Sequence, residues 1–210
     1  MPIAWLLYVN YQFDEEQRVL AALPTGEVRY TSAGSTRGEY IFSYNALKRV
    51  RELVLDHQDL TDVDLSNIRR LTHLETLSLT HTRLRNQDLR RLQLPDATNS
   101  LFLENNKFTE ASMSTLAQLT GVEYLFLDDN EITDEGVAQL VKHPRLLTLG
   151  LTRTRVTDNV VNTLIEMRSL KGVHLRDTAV SVEARRRLRR SRPDLVGFSI
   201  EPSSPPQAGP

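Results

Sequence analysis

The sequence predicts an α/β solenoid: one short unit stacked repeatedly, with parallel strands forming a concave sheet and helices on the convex side. Three observations predict it. Apolar residues return every 24 positions from Val50 onward. Within each unit they first alternate, as in a strand, and then fall at three- and four-residue spacing, as in a helix. Turn-forming residue types separate the two patterns.

The unit is clearest in residues 122–145, VEYLFLDDNEITDEGVAQLVKHPR. Leu125 and Leu127 share one face of an extended segment, because strand side chains alternate. Asn130 follows, where a buried amide can serve loop backbone groups that have no ladder partner. Ile132 returns to the core. Thr133 and Asp134 are N-cap types, and Val137, Leu140 and Val141 supply a helical stripe that His143-Pro144 ends.

Units begin at Val50, Leu74, Thr98, Val122, Leu146 and Leu170. Their strand pairs are Leu53/Leu55, Leu77/Leu79, Leu101/Leu103, Leu125/Leu127, Leu149/Leu151 and Val173/Leu175. The next inward column is Leu60, Leu84, Phe108, Ile132, Val156 and Val180, followed by a helix column of Ile68, Leu92, Leu116, Leu140, Leu164 and Leu188. Parallel strands about 4.8 Å apart would give a concave sheet roughly 35 Å across for seven or eight strands.

Residues 1–49 read as an N-terminal capping segment. Asp14-Glu15-Glu16-Gln17 has the residue types of a capping box and opens a helix over 14–23; Pro24-Thr25-Gly26 ends it, a strand follows over 27–30, and 31–39 is a loop. The apolar Ile3 to Val9 stretch lacks a basic flank and is far shorter than the ~20 residues of a membrane span, so it is expected to pack on the domain, the alternative being a remnant of an export or anchor sequence. Residues 50–200 are the repeats, closed by an edge strand at Leu195, Phe198 and Ile200; residues 201–210, EPSSPPQAGP, are expected to be a disordered tail.

These columns resemble leucine-rich repeat proteins, in particular the subclass whose repeats carry a Thr-Asp-x-Gly-hydrophobic turn into the helix, here Thr133-Asp134-Glu135-Gly136-Val137. Thr61-Asp62 and Thr157-Asp158 keep the first half of that turn. The resemblance covers residues 49–200 and implies a right-handed leucine-rich repeat solenoid. It implies a scaffold for protein binding far more than any particular activity. Two departures stand out. Thr98 and Pro95 should make the second-to-third repeat join irregular, and the asparagine column holds Asn only at Asn106 and Asn130.

A formal charge of -1 gives no global attraction to nucleic acid or anionic membrane, and the absence of cysteine excludes disulfides and thiolate metal sites. No phosphate loop, Gly-x-Ser-x-Gly or His-Glu-x-x-His is present, so the chain reads as a non-enzyme without cofactor or small-molecule substrate. His57 and His81 would neighbour each other one repeat apart. Asn105 and Asp129, next in that column, complete a metal site poorly, so solvated histidines are expected.

The outward strand positions are more informative. Val54, Ser78, Phe102, Phe126, Gly150 and His174 form the column between the paired leucines, with Tyr124 beside it. Phe102, Tyr124 and Phe126 make an aromatic cluster next to Glu104, Asp128 and Asp129, with Arg153 and Arg176 toward the C-terminal side. Aromatic anchors with an acidic rim suit a protein or peptide partner carrying a basic segment. The competing reading is that the phenylalanines stack across strands and only stabilise the sheet.

Arg185, Arg186, Arg187, Arg189, Arg190 and Arg192 crowd one further stretch. They could neutralise phosphates of nucleic acid or an anionic membrane, or could cap the solenoid with cations near a helix C-terminus; the cap is the expected role. A monomeric, cytoplasmic protein is expected.

Overall fold

The computed structural model describes residues 15–23, 27–32, 48–61 and 63–198. Seven strands form one sheet in chain order: β1 (Glu27–Ser32), β2 (Lys48–Val54), β3 (Thr76–Ser78), β4 (Ser100–Phe102), β5 (Tyr124–Phe126), β6 (Thr148–Gly150) and β7 (Gly172–His174). Strand β1 runs antiparallel to β2; every later pair is parallel. The parallel register carries Leu53 onto Leu77, then Leu101, Leu125, Leu149 and Val173, the inward column read from sequence. This is a leucine-rich repeat solenoid.

Helical segments return the chain between strands. They are α1 (residues 15–21), a 3-10 turn at Leu65–Arg70, then α2 (Asn86–Leu89), α3 (Glu110–Leu116), α4 (Asp134–Ala138), α5 (Val160–Glu166) and α6 (Val182–Ser191). They are shorter than the apolar stripes suggested: α4 ends at Ala138, so Leu140 and Val141 of its stripe lie in the turns that lead to the next strand. The strand pairs, the Leu60-to-Val180 column and the helix column are buried in one continuous core.

The three-residue strands understate the ladder. Leu55, His57 and their equivalents keep donating to the next repeat, for example Leu55 N to Ser78 O at 2.9 Å and His57 N to Thr80 O at 2.9 Å. The chain then leaves the sheet at a left-handed residue in every repeat: His57 (φ 60°), His81 (57°), Asn105 (56°), Asp129 (57°), Arg153 (53°) and Asp177 (53°). Asparagine and aspartate tolerate that conformation, whereas His and Arg occupy it at a cost of about 1–2 kcal/mol, offset here by the inter-repeat bond of their own N–H.

The asparagine column works by bridging repeats. Asn130 Oδ1 accepts from Asn106 N (3.1 Å) and Phe108 N (2.9 Å), while its Nδ2 donates to Leu103 O, Leu127 O and Asp128 O. Asn106 does the same one repeat earlier, accepting from Thr82 N at 2.9 Å and donating to Leu79 O at 2.7 Å. Where Thr82, Thr154 and Thr178 replace Asn, each hydroxyl donates to the carbonyl three residues back, and Thr82 Oγ1 also reaches Asn106 Oδ1 at 3.0 Å.

The Thr-Asp turn also joins repeats. Asp134 accepts from Thr157 N (2.8 Å) and Thr157 Oγ1 (2.5 Å), and Asp158 accepts from Ser181 N (2.6 Å) and Oγ (2.8 Å). Asn86 makes the corresponding pair with Thr109. Thr133 makes no side-chain cap to its own helix, so Asp134 serves the following repeat more than α4. The join expected to be irregular keeps the pattern of the others: the β3–β4 register is unbroken, Thr98 N donates to Pro95 O as Leu74 N does to Leu71 O, and the buried Thr98 hydroxyl donates to Leu74 O at 2.8 Å.

At the N-terminal end, β1 covers the edge of β2 and extends two residues past the expected 27–30. Glu16 from α1 is buried and its Oε2 accepts from Val50 N at 3.3 Å. At the other end the expected edge strand is reduced to one parallel bridge, Gly172 to Val196, with Leu195 and Phe198 buried beneath it. The Ile3 to Val9 stretch, residues 33–39, Ile200 and the 201–210 tail lie outside the described residues. No helix among the described residues is long and apolar enough to cross a membrane.

Candidate functional site

The concave face is built from side chains that alternate with the buried leucines. Phe102 and Phe126 sit directly opposite each other on β4 and β5 and stack, with ring centroids 4.8 Å apart and planes 8° from parallel. On β6 the column is interrupted by Gly150. Phe126 leans into the space that a side chain there would take and reaches the His174 ring on β7, 5.8 Å away at 43°. Tyr124, at 38% the most exposed aromatic described on this face, has no ring stacked on it. The aromatic platform is therefore Phe102, Phe126 and His174, with Tyr124 standing beside it.

The acids flank this platform in the next outward column. Asp56 Oδ1 accepts from Ser78 Oγ (2.7 Å) and Thr80 N (2.8 Å), and Glu104 Oε2 accepts from Thr80 Oγ1 (2.9 Å). Asp128 Oδ1 accepts from Thr152 N at 2.6 Å, and its Oδ2 lies against Gly150, beside the Phe126 ring. Burial pushes the Glu104 carboxyl above its ordinary value, opposed by backbone hydrogen bonding and by Thr80, and reinforced by the neighbouring Asp128 and Asp56 charges. Among the described residues no cation forms an ion pair with Glu104, whereas the Arg153 charge reaches Asp128; a positive group arriving beside Glu104 would relieve the crowding there.

Asp129, Arg153 and Arg176 belong to a different feature. Arg153 grips Asp129 through two bonds, Nε to Oδ1 and Nη2 to Oδ2, both 2.5 Å, and extends to Asp177 at 3.9 Å. That hydrogen-bonded pairing holds the Asp129 carboxyl below the usual range. Arg176 lies 3.4 Å from the same Asp177. These residues form an ion-pair ladder along the left-handed turn column, adjoining the platform without joining it.

His57 and His81 are stacked neighbours, 4.6 Å between centroids, on that same turn column. Among the described residues no group of three His, Asp or Glu is placed to hold a metal ion.

The arginines of α6 divide into two sets. Arg185 turns inward and donates to Val180 O, Leu175 O (2.7 Å) and Thr178 Oγ1, supplying from a helix the donors that an asparagine of a further repeat would give. Arg192 donates to Leu164 O, Met167 O and Leu170 O at the end of α5, and pairs with Asp194, whose carboxyl it holds far below the usual range. Arg189 lies over the Phe198 ring at 4.5 Å. Arg186, Arg187 and Arg190 face solvent.

The sequence columns brought Phe102, Phe126, Glu104 and Asp128 together but grouped Asp129, Arg153 and Arg176 with them, which instead form the ion-pair ladder, and two contributions escaped the columns. His174 and Gly150 stood in the aromatic column unremarked; a glycine in a strand, marking close approach of a neighbour, was the available signal.

No family model matches this chain, and no curated protein matches it. Solved structures do match. One is the crystal structure of an internalin C2 from Listeria monocytogenes, 30% identical, with a TM-score of 0.50 over 63% of this chain and 54% of that one. The chain thus spans about half the length of that protein.

Proposed function

We propose that this chain is a protein-interaction module whose concave face receives an Arg- or Lys-bearing segment of a protein partner. The observation that carries the reading is an aromatic platform beside a part-buried carboxylate that forms no ion pair among the described residues: Phe102 and Phe126 stacked next to Glu104, whose charged form is disfavoured by burial and by the neighbouring Asp128 and Asp56 charges. A guanidinium can lie on an aromatic face while donating to a carboxylate at its edge, and both interactions strengthen as water is displaced. The similarity to an internalin, another leucine-rich repeat fold, supports an interaction role in general. The Asp134–Thr157 and Asp158–Ser181 locks support placing the repeats in the Thr-Asp-x-Gly subclass.

Nucleic-acid or membrane binding through α6 is the weaker reading, because Arg185, Arg189 and Arg192 are committed to capping.

Selection from a displayed library of random 12-residue peptides tests the proposal. Enrichment of peptides carrying Arg or Lys next to an apolar residue is expected, with competition by free protein but not by the Phe102→Ala/Phe126→Ala variant. Enrichment of acidic peptides, or identical selection by both proteins, would refute it.

A further inference from the structure

The strand-to-helix loops of the β3 and β4 repeats differ from the rest. Every repeat has one left-handed residue at the end of its ladder, but these two have a second, Arg83 (φ 59°) and Lys107 (φ 70°). The equivalent residues elsewhere, Asp59, Glu131, Arg155 and Ala179, are not left-handed. These are the two loops held by an asparagine of the following repeat, Asn106 Oδ1 accepting from Thr82 N and Asn130 Oδ1 from Asn106 N and Phe108 N, so the backbone from which the Arg83 and Lys107 side chains leave is fixed.

Between these loops lies a cavity of about 600 Å³ lined by His81, Arg83, Arg85, Asn105, Asn106 and Lys107. Three of the six are fixed cations and none is an acid. The Asn106 amide is buried and fully engaged with backbone carbonyls, giving the cavity a rigid floor. Arg83 reaches Asp59 at 3.0 Å in a pair exposed on both sides, which water screens, while Arg85 reaches the buried Asp88 at 3.6 Å from an exposed position. Lys107 has no partner among the described residues.

We propose that this cavity is a binding site for a tetrahedral oxyanion, a phosphate or sulfate group, held by Lys107, Arg83 and Arg85. Three cations lining one cavity, with no acid among its lining residues, match a multiply charged anion better than a carboxylate. The site lies along the loop edge of the sheet and does not depend on the peptide-binding reading.

NMR titration of the full chain with inorganic phosphate, and separately with O-phosphoserine, at constant ionic strength set with chloride, tests it. Saturable amide shifts confined to residues 81–86 and 105–108 are expected with at least one probe. Lys107→Ala should weaken that binding about tenfold or more. Arg155→Ala, at the same loop position two repeats on, should leave it unchanged. Lys107→Gly should raise the melting temperature, because glycine relieves the left-handed strain, yet lose binding as Lys107→Ala does. Shifts that fail to saturate with both probes, or equal effects of Lys107→Ala and Arg155→Ala, would overturn the proposal.

Discussion

Phe126 lies over Gly150: a Cβ on that glycine would come within 2.8 Å of Phe126 Cδ1 and still closer to Asp128 Oδ2. A residue with no side chain therefore fixes where an aromatic ring and a carboxylate stand on the concave face, and lets the ring reach His174.

Gly150→Ala accordingly should displace both groups. Overpacking is expected to cost about 1–3 kcal/mol in chemical denaturation, and affinity for a basic peptide should fall although no charge or ring has been removed. Crystallography of the variant would show Phe126 rotated away from its present position. Unaltered Phe126 and Asp128 positions would mean that the backbone yields instead.

Asn130→Ala removes two accepted and three donated hydrogen bonds in the buried turn column. Leaving buried backbone groups unpaired should cost about 2–4 kcal/mol, measured by urea unfolding. Thr154→Ala, which removes a single donated bond, should cost about 1 kcal/mol.

Arg185 and Arg186 are neighbours with opposite duties. Arg185→Met keeps the length of the side chain but strips donors from Leu175 O and Val180 O, and should destabilise the C-terminal repeat by about 2–3 kcal/mol. Arg186→Ala, on the exposed face, should stay within about 0.5 kcal/mol. Hydrogen exchange across residues 170–188 would localise the loss.

Glu16 links stability to pH. Burial raises its carboxyl above the ordinary 4.5, against the hydrogen bond from Val50 and the charge of Arg49, and its Oε1 accepts no bond from the described residues while His73 stands 4.0 Å away. A carboxyl raised in the folded chain favours folding while protonated; that contribution is complete below the ordinary value and is lost as pH rises through the raised one. Glu16→Gln removes the loss. Its melting temperature relative to the wild type should climb as pH rises above the ordinary carboxyl value, and a flat difference would show that Glu16 titrates normally.

Much of the fold could be read directly. The inward columns define period and face because a one-residue slip would bury polar groups, so Leu53 to Val173 and Leu60 to Val180 predict their own burial. What the columns could not convey is three-dimensional reach. Asp134 reads as a cap for its own helix, yet it bonds Thr157 a repeat away; Asp129 reads as part of an acidic rim, yet Arg153 holds it. The left-handed turn occupied by His, Asn, Asp and Arg alike left no compositional trace, because inter-repeat bonding rather than residue preference sets it. The terminal cap was legible as an arginine run but not as individual donors to carbonyls.

The most direct test of the concave-face account is the affinity of a selected Arg-bearing peptide for the wild type and for Phe102→Ala/Phe126→Ala, measured by calorimetry alongside the unfolding free energy of each. The stacked pair should contribute about 1–2 kcal/mol to stability, and its loss should weaken peptide binding by well over tenfold. A variant that loses stability yet binds the peptide unchanged would show that the aromatic stack serves the sheet alone.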